Sequence, residues 1–88
     1  MKYKITFSQK FKKHYKKLSN IEQKQFKNRL SQFVENPTHP SLRSKKIKGS
    51  DGIWEFSVNM DIRVIWFYHN EEIIFLLDIG HHDILNKF

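Results

Sequence analysis

Ten residues near the end of this 88-residue sequence, "LLDIGHHDIL" (Leu76 to Leu85), bring an apolar run to a stop at Gly80 and follow it at once with His81, His82 and Asp83. An imidazole titrates near neutrality and can both donate and accept a proton. His82 is therefore a candidate for proton transfer at the end of a strand. A second candidate is Arg63, which opens the otherwise uncharged run "RVIWFY". A guanidinium in apolar company needs an anionic partner, because an unpaired buried charge is costly. Glu55 or Asp61 would supply that partner in a structural ion pair; a phosphate would supply it in a binding site, since the planar fork suits phosphate oxygens. His81, His82 and Asp83 are also metal-ligand types. Adjacent residues in extended chain point apart, however, and no second cluster supports them, so neither metal nor cofactor is expected. A third use of the segment is structural, with Asp83 capping a last helical turn.

A basic stretch precedes these residues. "RSKKIK" places Arg43, Lys45, Lys46 and Lys48 within six positions. In extended chain Lys46 and Lys48 would share the face opposite Ile47 and could meet successive phosphates. The structural alternative is an edge strand on which lysine discourages aggregation.

The elements that must position these groups follow from pattern. "KYKITF" (Lys2 to Phe7) alternates, with Tyr3, Ile5 and Phe7 on one side, as in a half-buried strand. In "SQKFKKHYKKLS", Phe11, Tyr15 and Leu18 have helical spacing and Ser8 is a candidate N-cap. Ser19 and Glu22 match a capping box, after which Ile21, Phe26, Leu30, Phe33 and Val34 form one stripe. Asn36-Pro37 should end that helix. Trp54, Phe56 and Val58 alternate with Glu55, Ser57 and Asn59; Ser50-Asp51-Gly52 and His69-Asn70-Glu71 read as turns. Arg63 to Tyr68 and Ile73 to Ile79 are apolar on both faces, as central strands are. The expected class is α+β: an N-terminal strand, a two-helix hairpin, then three or four antiparallel strands with both helices on one face, all within a single domain spanning 1–88.

Composition narrows the partners. Sixteen basic and nine acidic residues give a net charge of +7, which points to a polyanion and above all to nucleic acid or a ribonucleoprotein. No run is long and apolar enough to span a membrane, and no secretory leader is visible at "MKYKITFSQKF". Cysteine is absent, which excludes disulfides and thiolate metal sites and is compatible with the cytoplasm, the expected location.

With these pieces placed, the chain resembles the RelE/ParE superfamily of type II toxins along nearly all its length. The hairpin "GIWEFSVNMDIRVIWFY" and the ending "GHHD" carry the resemblance together. Toxins of the RelE and YafQ kind cleave mRNA, usually on the ribosome, and are neutralised by a cognate antitoxin; ParE relatives share the fold but poison DNA gyrase. The resemblance implies a RelE-like fold, an antitoxin with which the chain forms a hetero-oligomer, and mRNA and the ribosome as targets. Arg63 matches an arginine near the start of the RelE central strand. His82 matches a histidine used by the YafQ branch after the glycine of its last strand, and Asp61 matches a functional YafQ aspartate. The sequence departs from the pattern where the RelE strand lysines fall on Glu55 and Ser57, and where Phe88 replaces a C-terminal tyrosine, leaving a ring to stack on a base without a hydroxyl. The implied catalytic set is His82 for proton transfer, Arg63 for the phosphoryl oxygens, and Glu55 or Asp61 as base or as the group that orients His82. Arg43, Lys45, Lys46, Lys48 and Phe88 form the implied RNA contacts. Two other functions stay open: a gyrase inhibitor that is no enzyme, and an RNA-binding protein without catalysis.

Overall fold

A computed structural model of the chain describes residues 2–87; Phe88, expected to stack on a base, lies outside the described residues. Strand β1 (Lys4–Phe7) leads into helix α1 (Gln9–Tyr15) and helix α2 (Asn20–Glu35). After a 3₁₀ turn at Pro40–Leu42 come β2 (Lys45–Lys46), β3 (Trp54–Ser57), β4 (Arg63–Tyr68) and β5 (Ile73–Gly80), and a second 3₁₀ segment runs from His82 to Lys87.

The local signals act as expected. The Ser8 side chain accepts from the Phe11 amide, and Ser19 and Glu22 make both bonds of a capping box. Asn36 leaves helical geometry ahead of Pro37, with φ −153° and ψ 92°. Asn70 closes the β4–β5 turn by accepting from the amides of Glu72 and Ile73.

The architecture is the α+β layer expected, with a sheet in the order β1-β5-β4-β3-β2. Pairing within β2 to β5 is antiparallel, but β1 lies parallel to β5, so the sheet has five strands and is mixed. The reason is connectivity: the helical hairpin carries the chain over the sheet, so β1 can run alongside the last strand in the same direction. Register shifts between Ile65 and Trp66, leaving Leu77 without a partner on β4, as a bulge does.

One sheet face packs on the helices. Phe33 from α2 meets Phe56 at 4.6 Å and Trp66 edge-on at 4.9 Å between ring centroids, within a core that includes Phe11, Phe26, Val64, Ile74 and Leu76. Ile21 is not part of it. Expected on the stripe, it is 71% exposed, because it sits in the first turn of α2, ahead of the stretch that packs on the sheet. On the other face Ile65 packs with Ile47 and Ile84, flanked by Ile53, Leu77 and Leu85. The C-terminal 3₁₀ segment thus folds back over the open face, which fixes where His81 and His82 stand.

A buried polar link ties α1 to β5. Asp78 is fully buried and accepts from the Ile79 amide at 2.8 Å; one of its oxygens lies 2.6 Å from His14 Nδ1 and the other 3.6 Å from Lys10 Nζ. Removing His14 strips a short hydrogen bond from a carboxylate that water cannot reach. His14→Ala is therefore expected to lower stability by about 1–3 kcal/mol, read as a shifted midpoint in urea denaturation at unchanged slope.

Candidate functional site

The loop from Val58 to Ile62 between β3 and β4 builds the site. Asn59 organises it: its side-chain oxygen accepts from the amides of Asp61 (2.8 Å) and Ile62 (2.6 Å), and its amide nitrogen donates to Gln25 Oε1 at 2.8 Å. The Asn59 carbonyl accepts from Arg63 Nη1 at 2.8 Å, and the Ile62 carbonyl lies 3.3 Å from the same nitrogen. Arg63 Nε stands 3.7 Å from Glu55 Oε1, an ion pair whose members are 15% and 7% exposed. The structural partner considered from sequence is thus Glu55. Held by a carboxylate and two carbonyls, the guanidinium is fixed in position while part of it remains open.

Arg63 pairs with Gly80 across β4 and β5. Both strands end at this pair, and the chain just beyond each end brings Asp61 to the two histidines. One Asp61 oxygen accepts from the His82 amide at 3.1 Å, and the other lies 2.5 Å from His81 Nδ1. A Cβ at Gly80 would stand 3.2 Å from Ile84 Cδ1, a tight contact where the C-terminal segment turns back. His81 and His82 are both exposed, and the His82 ring makes no hydrogen bond among the described residues.

Asp61 and His81 shift one another. The hydrogen bond from His81, and then the one from the His82 amide, hold the Asp61 carboxyl below its ordinary value. The same hydrogen bond and the carboxylate charge raise the His81 imidazole above its ordinary value. The charged pair is complete between the lowered Asp61 pKa and the raised His81 pKa; it is lost as pH falls through the first or rises through the second. In an NMR titration, His81 should therefore take up its proton at higher pH than a free imidazole, and Asp61→Asn should bring that pH down. An unmoved His81 resonance in Asp61→Asn would show that the pair does not form in solution.

The four residues of the expected catalytic set gather at one end of β3, β4 and β5, in two linked pairs: Arg63 with Glu55, and Asp61 with the His81–His82 step. His81 was not expected. Asp83 does not cap the last turn; it lies within the first turn of the 3₁₀ segment, and the His81 carbonyl accepts from the Ile84 amide instead.

The basic stretch is divided. Strand β2 ends at Lys46, so Lys48 falls in the following turn and does not share a strand face with it. Lys45 pairs with Glu55 across β2 and β3, next to the site; Lys46 lies over the Trp54 ring at 5.6 Å on the helix side. Arg43, exposed, precedes both in a left-handed conformation (φ 53°). Among the described residues no group of three or more His, Cys, Asp or Glu is placed to hold a metal ion, and no helix is long and apolar enough to cross a membrane.

Residues 5–85 match the family model described as the ParE toxin of the type II toxin–antitoxin system parDE. The chain belongs to this toxin family, within the RelE/ParE superfamily. Similar solved structures include a free-state mutant of the E. coli toxin RelE, 19% identical, with TM-score 0.76 over 99% of this chain and 93% of that one. E. coli YafQ is 17% identical, with TM-score 0.72 over 94% and 97% of the two chains. RelE in the RelE–RelB complex of Pyrococcus horikoshii is 16% identical, with TM-score 0.75 over 92% and 96%. At these identities the likeness is one of fold. No curated protein matches the chain in sequence.

Proposed function

We propose that this toxin is an endoribonuclease that cuts mRNA on the ribosome in the cytoplasm and is neutralised by a cognate antitoxin bound as a hetero-oligomer. The observation that carries the reading is the clamp on Asp61, which holds the His81–His82 step beside the strand end where Arg63 stands. The similar RelE in complex with RelB supports an antitoxin partner.

Cleavage would run through the RNA itself. The 2′-hydroxyl attacks the adjacent phosphorus, the phosphorane forms, and the 5′-oxygen leaves. His82, whose ring is unengaged, takes the 2′-hydroxyl proton. His81, whose pKa the Asp61 hydrogen bond and charge raise, gives a proton to the departing oxygen. Arg63 holds the non-bridging oxygens as their charge grows. Glu55 is nearly buried against Arg63 and Asp61 is bound to His81, so both act as positioning groups and neither as the base. Lys45, beside Glu55, together with Lys46, Lys48 and Arg43, would contact the RNA backbone.

The match to the ParE model favours a second reading, a gyrase-binding toxin without chemistry. One experiment separates the two: the purified chain is given mRNA-programmed ribosomes in one tube and gyrase with plasmid in another. The ribonuclease reading expects cut mRNA and unimpaired supercoiling; intact mRNA with blocked supercoiling would replace it by the gyrase reading. Intact mRNA that is bound, with supercoiling unaffected, would leave an RNA-binding protein.

A further inference from the structure

A cleft of about 420 Å³ opens on the other side of the β3–β4 loop, between α2, the 3₁₀ turn and the end of β3. Arg29 and Asn28 reach it from α2, Ser41 and Arg43 from the turn, and Ser57 and Asn59 from the strand end. No acidic residue lines it, and the guanidinium of neither arginine makes an ion pair or hydrogen bond among the described residues. This is unusual in a chain whose other arginine is held by a carboxylate and two carbonyls. Arg43 is also the one described residue other than glycine with positive φ, at 53°. A strained backbone of this kind persists where its surroundings hold it, and it is commonly found at binding sites.

Two walls of the cleft belong to the site already described. Ser57 pairs with Arg63 across β3 and β4, and the Asn59 carbonyl holds Arg63 while its side chain is tied to Gln25. β2 begins only at Lys45, opposite Glu55, so no residue of β2 pairs with Ser57 on that edge of β3. We infer that this cleft binds a phosphodiester of the RNA strand that passes Arg63, with Arg29 and Arg43 gripping its oxygens and Asn28 and Ser57 as neutral donors. The inference rests on the ribonuclease reading for the identity of the strand. Paired guanidiniums with neutral donors and no carboxylate suit phosphate oxygens, and continuity with Arg63 sets the cleft on the path of a chain longer than one nucleotide.

The test is the salt dependence of binding to a 2′-O-methyl RNA oligonucleotide, which cannot be cleaved. Each phosphate contact on a single strand adds about 0.7 to the slope of log K against log salt. R29Q/R43Q, which strips both guanidiniums from that one phosphate, is expected to lower that slope by about 0.7. K12Q/K13Q, which removes the same charge from exposed positions on α1, is expected to leave the slope close to the parent's. Binding to RNA that cannot be cleaved does not depend on catalysis, so a failure of the catalytic reading would leave this result standing. A slope in R29Q/R43Q no lower than in K12Q/K13Q would overturn the cleft, with circular dichroism confirming that both variants fold. Displacement of the RNA by polyglutamate of equal charge would also overturn it, in favour of an acidic protein partner. Sedimentation with ribosomes lacking mRNA then separates the sources: unaltered association of R29Q/R43Q assigns the phosphate to the mRNA strand that passes Arg63, and weakened association would assign it to ribosomal RNA and overturn that placement.

Discussion

Arg63→Gln combined with Glu55→Gln is expected to slow RNA cleavage by about 10²–10³-fold while the protein still folds. A fixed donor aimed at the charge that develops on phosphorus stabilises the transition state more than the ground state, which is why its loss falls on the chemical step. The double substitution is needed because of the ion pair. Arg63→Gln alone would leave Glu55 nearly buried without its cation, and the cost to stability would obscure the cost to catalysis. Glu55→Gln alone is the informative control. Arg63 keeps the Asn59 carbonyl as an anchor, so the guanidinium stays in place and a far smaller loss is expected. Were Glu55 the base, the single substitution would be as damaging as the double. Single-turnover rates on programmed ribosomes, with urea denaturation of each variant, measure both quantities.

The second large effect concerns the histidines. His81→Gln and His82→Gln should each reduce the rate by about 10²–10⁴-fold, the range typical of a lost general acid or base. Their pH profiles should differ. The parent should show a bell, since one imidazole must be neutral and the other protonated. His82→Gln removes the rising limb and His81→Gln removes the falling limb. Asp61→Asn keeps both imidazoles but withdraws the carboxylate that raises His81, so the falling limb moves to lower pH. A falling limb that stays in place in Asp61→Asn would take proton donation away from His81.

Much of this arrangement was legible in the residues. Ser8, the Ser19–Glu22 box and Asn36-Pro37 mark helix ends through contacts within a few positions, and a short-range signal survives folding. Apolar residues on both faces of Arg63 to Tyr68 marked a central strand, and Ile65 packs on the face opposite Val64 and Trp66. The charge of Arg63 in an apolar strand demanded a partner, and Glu55 is that partner. Non-local features were not legible in this way. The parallel pairing of β1 with β5 joins residues nearly seventy positions apart, and nothing in "KITF" specifies its neighbour. The family's histidine after the last-strand glycine falls on His82, and nothing in the sequence marks His81, which Asp61 reaches only because the chain leaves extended geometry straight after Gly80. The register between Arg63 and Gly80 was the signal that would have paired Asp61 with this step. No sequence pattern marks Arg29, and only the folded turn at Arg43 shows the cleft they share.

The chemistry at the cut ends tests the central claim most directly. RNA recovered from programmed ribosomes after brief exposure to the toxin can be analysed for its termini. Attack by the 2′-hydroxyl, with Arg63 and the two imidazoles in their assigned roles, predicts a 2′,3′-cyclic phosphate on one fragment and a 5′-hydroxyl on the other. A 3′-hydroxyl with a 5′-phosphate would mean that water or another external nucleophile made the cut, and the assigned roles of Arg63, His81 and His82 would fall with it.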